Sequence, residues 1–243
     1  MEAMILAAGL GTRLRPLTDR RPKALLEVGG VPLLERVARR LIAVGADRLI
    51  VNVHHHADQV TRFLERKGGF GVEVRLSREE TEPLETGGGL RAAAHLFEED
   101  APFFLHNVDV LSDLDLRAMH RTHVGASASG PVLATLPVQA RETSRPLLVD
   151  DQGVYGVANR RTGRRREARR PVGEERELGF CGIHVVSPEI RVRMTEVGTF
   201  PIWEPYFRLV GEGWRLLPYE IGEARWLEVG SLERLERARE ALG

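Results

Sequence analysis

Glu2-Ala-Met-Ile-Leu-Ala-Ala-Gly-Leu-Gly-Thr-Arg-Leu-Arg-Pro16, with Arg21-Pro-Lys23 a few residues on, is the stretch from which the rest of the chain is read. Residues 4–8 form a short apolar run that predicts a buried parallel strand close to the first residue. The run empties into a turn holding Gly9 and Gly11, then Thr12, Arg13 and Arg15, with Lys23 further along. Small residues let the backbone approach a ligand closely and aim successive N–H groups at it, which suits phosphate oxygens. Nearby cations neutralise the charge that amides cannot. A strand entering a glycine-rich, cation-rich turn predicts a nucleotide phosphate site.

Outward from that turn, strand and helix patterns alternate. Pro32 opens a helix whose apolar face is Leu33, Leu34, Val37, Leu41 and Ile42, ending at Gly45. Residues 49–53 read as a strand, 58–67 as a helix closed by Gly68-Gly69, and 72–76 as a third strand. A helix is expected over 90–97, then a strand from Pro102 that runs into Asn107-Val108-Asp109. This alternation predicts an α/β fold with a mainly parallel twisted sheet flanked by helices and ligands at the carboxyl ends of its strands. In the second half, 132–136 and 147–157 look like strands, the latter around a hairpin turn at Asp150-Asp151-Gln152-Gly153. Residues 160–170 are dense in arginine without apolar periodicity, which predicts a solvated loop. Residues 180–186 read as a strand, Pro188 begins a helix, and 232–242 form a closing amphipathic helix.

Bulk properties narrow the partners. Among 243 residues, 35 Lys and Arg balance 35 Asp and Glu, so general nucleic-acid or membrane-surface binding gains no support. No apolar run approaches the roughly 20 residues that span a bilayer. The first ten residues lack the basic leader of a secretory signal, and a single cysteine, Cys181, suits a reducing compartment. A cytoplasmic protein is expected, and nothing in the sequence reads on its oligomeric state. The chain is read as one domain over 1–243, with a nucleotide-binding half over about 1–125 and a sugar-binding half over about 126–243.

The N-terminal turn is neither of two common phosphate loops. Leu14 stands where the dinucleotide fingerprint has its third glycine, and no Gly-Lys-Ser/Thr follows; a bare Gly-x-Gly also occurs in purely structural turns. The longer string Leu6-Ala-Ala-Gly-Leu-Gly-Thr-Arg-Leu-Arg-Pro16 with Pro22-Lys23 resembles the signature of the sugar-1-phosphate nucleotidyltransferases, which join a nucleoside triphosphate to a sugar phosphate. The resemblance implies a Rossmann-like nucleotidyltransferase fold with a small β-rich sugar-binding part. It leaves no room after Gly230 for the β-helix that some relatives carry.

Nucleotidyl transfer requires that two polyanions be aligned and the charge on the leaving oxygens neutralised, through Mg²⁺ and fixed cations. Mg²⁺ takes one or two carboxylates together with phosphate oxygens and water. Asp109, directly after the strand that ends at Asn107, is the first expected ligand; the family usually has Gly-Asp where this chain has Val108-Asp109. Glu228, in Trp226-Leu-Glu-Val-Gly-Ser231, is the second, replacing the family's aspartate. The resemblance gives Arg13 and Lys23 the triphosphate and assigns Leu6, Ala7, Ala8, Gly9, Gly11, Thr12 and Asn107 to the nucleotide site. Glu82-Pro-Leu-Glu-Thr-Gly-Gly-Gly89 reads as a second glycine loop at a helix N-terminus. It is similar to the loop of N-acetylmuramate-1-phosphate uridylyltransferases and related to that of mannose-1-phosphate guanylyltransferases, so Glu82, Thr86, Gly87 and Gly88 are expected against base and ribose. Gly182, in the Gly-Phe-Cys-Gly-Ile segment, and Asn159-Arg160, where many relatives have Glu-Lys, are expected on the sugar side.

His54-His-His56 cannot converge on one ion from an ordinary turn and is read as a loop near the nucleotide. Cys181, without a base partner, is read as a packing residue. The favoured activity is uridylyl transfer to N-acetylmuramate 1-phosphate or a similar sugar. Mannose-1-phosphate guanylyl transfer, cytidylyl transfer to an alcohol phosphate, and a silent nucleotide-binding module are the alternatives.

Overall fold

The computed structural model describes residues 1–242. β1 (Glu2–Leu6) is the expected opening strand, buried along nearly its whole length. After the glycine turn come three single turns of 3₁₀-helix at Thr12–Leu14, Leu17–Asp19 and Lys23–Leu25, then a short hairpin, β2 (Glu27–Val28) and β3 (Val31–Pro32). Proline's fixed φ starts α1 (Leu33–Ala43) immediately after Pro32. The chain continues through β4 (Arg48–Val53), α2 (Ala57–Arg66), β5 (Glu73–Arg78), α3 (Glu85–Ala93), β6 (Phe103–Asn107), β7 (Val110–Ser112) and α4 (Leu116–Ser127). Asp115 caps α4 by accepting the Ala118 N–H at 2.9 Å. β1 pairs in parallel with β4 and β6, and β4 with β5, as the alternation predicts.

The second half is antiparallel except at one pairing. It comprises β8 (Val132–Gln139), β9 (Leu147–Asp150), β10 (Gly153–Asn159), β11 (Arg164–Glu167), β12 (Arg176–Phe180), β13 (Ile183–Val186), α5 (Ile190–Arg193), α6 (Trp203–Gly211), β14 (Arg215–Glu220), β15 (Trp226–Glu228) and α7 (Leu232–Leu242). One continuous sheet runs β11-β10-β9-β12-β8-β13-β6-β1-β4-β5, with β14 added in parallel to β8. The antiparallel β6–β13 pair is the seam between the halves. Alternate residues serve opposite faces: Ala3 and Ile5 pack with α1, α2, α4 and α7, while Met4 and Ile50 pack with α3 and α6. No helix among the described residues is long and apolar enough to cross a membrane.

Three expectations change. The residues read as a glycine loop before a helix at 90–97 are already helix: α3 starts at Glu85. Glycine's low helix propensity is overridden there by packing, for a side chain at Gly87 would strike the Phe200 ring and one at Gly88 the Gly198 carbonyl. The strand expected over 180–186 is two, because Gly182 turns the chain at φ +73° between β12 and β13. Arginine-rich 160–170 is not all loop; Arg164–Glu167 add β11 as an edge strand, held by backbone pairing that needs no apolar face. The turn at Asp150–Gly153 holds as read, with Asp150 also clamped by Arg169 at 2.5 and 2.7 Å.

Candidate active site

The end of β6, the β7–β15 pair and the β9–β10–β11 hairpins enclose a cleft of about 1280 Å³. Arg13 reaches its wall from the glycine turn. Gly11 sits at φ +65°, and a Cβ there would come within 2.8 Å of the Thr18 methyl and 3.3 Å of Lys23 Cβ, so the turn requires glycine. Thr18 Oγ1 donates to the Gly11 carbonyl at 2.9 Å. The N–H groups of Ala8, Gly9 and Leu10 meet no protein acceptor among the described residues, which leaves them for a ligand. His55 Nε2 and His56 Nε2 donate to the carbonyls of Thr18 and Asp19, at 3.1 and 3.2 Å. Two of the three histidines thus brace the segment that follows the turn, while His54 bonds to the Glu79 carbonyl at 2.6 Å.

A buried polar chain, which the sequence reading missed, ties this turn to the glycine segment of α3. The Ala7 N–H donates to Asn52 Oδ1 at 2.7 Å, Asn52 Nδ2 donates to Glu79 Oε1 at 2.6 Å, and the Leu84 N–H donates to Glu79 Oε2 at 2.8 Å. Asn52 and Glu79 are 2 % and 5 % exposed, so every polar atom in the relay needs its partner. Gly89 stays small because a Cβ would meet both side chains at 2.7–2.8 Å.

Asp109 and Glu228 lie on neighbouring segments of backbone, and both line the cleft. β15 pairs with β7 so that Glu228 lies opposite Val110, and the Val229 N–H donates to the Asp109 carbonyl at 2.8 Å. Asp109 is ion-paired with Lys23, both side chains being largely buried. Glu228 is ion-paired with Arg234 of α7 and lies 3.9 Å from Arg13. Gly230 leaves the space these two need, since a Cβ there would meet Glu228 Oε1 at 2.7 Å and Arg13 at 3.2 Å. Asp109, in the turn between β6 and β7, and Glu228, on β15, each stand beside a cation and are oxygen donors of the kind that a hard divalent ion takes together with phosphate oxygens. Among the described residues no group of three or more His, Cys, Asp or Glu could hold an ion without such help.

The other predicted residues fall in three places. Leu6 and Asn107 join the strand ends, Leu6 accepting the Val108 N–H at 3.1 Å and Asn107 donating its N–H to Gly182 at 3.0 Å. Gly87 and Gly88 both donate their N–H to the Phe200 carbonyl, at 3.0 and 3.1 Å, so these two amides are occupied. Thr86 Oγ1 accepts the Ile202 N–H at 2.9 Å, and Glu82 accepts from Thr199 at 3.2 Å. On the sugar side Asn159 Oδ1 closes its own turn by accepting the Arg161 and Thr162 N–H groups, and Arg160 pairs with Glu177 at 2.6 Å. Gly182, Asn159 and Arg160 all line the cleft.

Arg141, Trp203 and Trp226 line it too, and no sequence signal singled them out. The Arg141 guanidinium stacks 3.9 Å over Trp226 and donates to the Phe180 carbonyl at 2.6 Å. Trp226 Nε1 donates to the Cys181 carbonyl at 2.9 Å. Burial pushes the Cys181 thiol up to about 11, which removes it as a nucleophile.

Known proteins give this geometry a family. The nucleotidyl transferase profile matches residues 2–150. The chain is 34 % identical over 236 residues to N-acetylmuramate alpha-1-phosphate uridylyltransferase of Caulobacter vibrioides, covering 94 % of this chain and 91 % of that one. It is 30 % identical to mannose-1-phosphate guanyltransferase of Gibberella zeae, of whose length it spans 61 %. In fold it is similar to UDP-glucose pyrophosphorylase from Acinetobacter baumanii, with a TM-score of 0.78 at 20 % identity over all of this chain and 93 % of that one. With a profile match over more than half of its residues and a relative 34 % identical along nearly its whole length, the chain belongs to the nucleotidyl transferase family and is a nucleotidyltransferase.

Proposed function

We propose that this chain transfers a nucleoside monophosphate from a nucleoside triphosphate to a sugar 1-phosphate, with UTP and N-acetylmuramate 1-phosphate or a similar sugar as the favoured pair. The carrying observation is the convergence of Asp109 with Lys23, and of Glu228 with Arg13, where the glycine turn meets the arginine-lined cleft. The free amides of residues 8–10 and Arg13 hold the triphosphate. Glu82, Thr86, Gly87 and Gly88 form the wall against the base and ribose, with Glu82 the freest of the four to read a base edge. Asn159, Arg160 and Gly182 flank the acceptor. The uridylyltransferase of 34 % identity supports the choice of base and sugar.

Catalysis is mostly positioning. An acceptor phosphate oxygen bonds to the α-phosphorus in line while the bond from that phosphorus to the bridging oxygen breaks, and pyrophosphate leaves with the electron pair. Lys23, freed from Asp109 as the anions enter, is placed to neutralise charge on the transferring group. Arg13, on the outer side, neutralises the departing pyrophosphate. Asp109 and Glu228 would hold a divalent ion, for which Mg²⁺ is the natural choice, and it would supply Lewis-acid stabilisation of the phosphate oxygens. The test is pyrophosphate release from each of the four nucleoside triphosphates against a panel of sugar 1-phosphates, with and without Mg²⁺. Turnover with UTP and an N-acetylated sugar 1-phosphate is expected; nucleotide binding without turnover on any pair would leave the chain a silent binding module.

A further inference from the structure

Nine arginines and three carboxylates line the cleft, and the arginines are not all engaged. In and around the β9–β11 hairpins four are paired within the protein: Arg160 with Glu177, Arg165 with Glu167 and Glu175, Arg166 with Glu204, and Arg169 with Asp150. Arg145, Arg161 and Arg164 are different. They line the cleft, are exposed, and make no side-chain hydrogen bond or ion pair among the described residues. The backbone holds the three at one end of the hairpins. The Arg160 N–H donates to the Ser144 carbonyl at 2.9 Å, a turn closes from Asn159 to Gly163, and Arg164 stands opposite Asn159 in the β10–β11 ladder. They lie on the acceptor wall, apart from the glycine turn, Lys23 and Arg13, which serve the triphosphate. The acceptor's own phosphate must reach the α-phosphorus at the Asp109 end to react. A second group of unpaired guanidinium ions on the far wall therefore faces a second anion.

We infer that Arg145, Arg161 and Arg164 form the subsite that receives a carboxylate on the acceptor, and that they set the preference for a carboxylated sugar over its neutral counterpart. Guanidinium matches a carboxylate in charge and in its planar two-donor geometry. Three unpaired like charges on one wall repel one another, and an anionic substituent relieves that repulsion while its neutral counterpart does not. The inference rests on the proposed transfer to a sugar 1-phosphate and adds the residues that select among such sugars.

Two matched acceptor pairs test it: N-acetylmuramate 1-phosphate against N-acetylglucosamine 1-phosphate, and glucuronate 1-phosphate against glucose 1-phosphate. Each pair differs in one carboxyl-bearing group. With UTP, Mg²⁺ and the intact protein, kcat/KM is expected to be at least about tenfold higher for the carboxylated member of one pair, a preference that shrinks with added salt. In the triple variant R145Q/R161Q/R164Q the preference falls below about threefold, mostly through a higher KM for the carboxylated sugar. All three side chains are exposed, so an unchanged melting temperature is expected to accompany the loss. Equal kcat/KM within both pairs, or a triple variant that slows both members by the same factor, overturns the inference and leaves sugar-phosphate transfer standing. Failure of every sugar 1-phosphate overturns the transfer reading itself, and the carboxylate subsite with it.

Discussion

At the glycine turn, the proposed nucleotide side, the free polar groups are backbone amides, next to a buried relay from Ala7 through Asn52 and Glu79 to Leu84. Across the cleft they are guanidinium groups on exposed hairpins. The first arrangement is preorganised by buried side chains behind it and presents main-chain groups; the second presents side chains alone. A triphosphate is common to every reaction of this chemistry, whereas the acceptor differs, so rigid backbone suits the one and variable arginines the other. The β6–β13 pair joins the two regions, and Asp109 and Glu228 stand where they meet.

The largest effect expected is at that meeting point. Asp109→Ala removes the carboxylate that balances Lys23 and lies beside Glu228, and should lower kcat by about 10³-fold or more. The Lys23–Asp109 pair is largely buried, so the variant leaves an unpaired ammonium and a lower melting temperature is expected; a circular dichroism spectrum like the parent's at the assay temperature separates lost chemistry from lost fold. Activity within tenfold of the parent would break the picture of one centre shared by both regions.

The seam itself can be attacked with protons. His106 on β6 and His184 on β13 are buried, and burial pushes them down to about 4 and about 3; His123 of α4, between Thr135 and Ser187, is also held near 4. All three stay neutral in the fold and take up protons when the chain unfolds, since an unfolded histidine titrates near 6.5. Their contribution is therefore complete above about pH 6.5 and is lost as pH falls from there towards 4. Three such groups cost roughly 3 kcal/mol of stability at pH 5.5 relative to pH 7.5. Denaturant midpoints measured across that range check it, and a flat profile would mean that these rings are protonated in place.

Removing the relay should separate the regions in a different way. Asn52→Ala leaves the Ala7 N–H and Glu79 Oε1 without partners in a buried setting, at a cost of about 2 kcal/mol in stability. The loosened turn should raise KM for the triphosphate up to about tenfold while KM for the acceptor moves little. An equal rise in both would show that the nucleotide end is not an independent unit.

The same contrast explains what the amino-acid sequence disclosed. The glycine turn, Arg13, Lys23 and Asp109 are legible because backbone geometry demands particular residues at particular spacings, as Gly11 at φ +65° shows. Strands β1, β4 and β6 are legible because burial on both faces makes them continuous apolar runs. The acceptor wall is not. β11 is four charged residues, Arg-Arg-Arg-Glu, with no period to read, and Arg141 and Trp203 reach the cleft only through contacts made after folding. Gly87 and Gly88 mislead for a related reason: glycines that permit a close helix crossing at Phe200 look, in one dimension, like glycines that free a loop.

The smallest effect concerns Arg234. It sits on α7, at the far end of the chain from the glycine turn, yet its guanidinium pairs with Glu228 beside Arg13. A cation already on Glu228 competes with any divalent ion that would use the same carboxylate. Both side chains are partly exposed, at 47 % and 25 %, so the pair is worth at most about 1 kcal/mol. Arg234→Ala should accordingly tighten Mn²⁺ binding by two- to fivefold, read from the free-ion signal in electron paramagnetic resonance, whereas Glu228→Gln should weaken it. Unchanged Mn²⁺ affinity in Arg234→Ala beside a loss in Glu228→Gln would make Arg234 a bystander. No change in either would take Glu228 out of the ligand set and leave Asp109 as the protein's sole carboxylate at the join between the two regions.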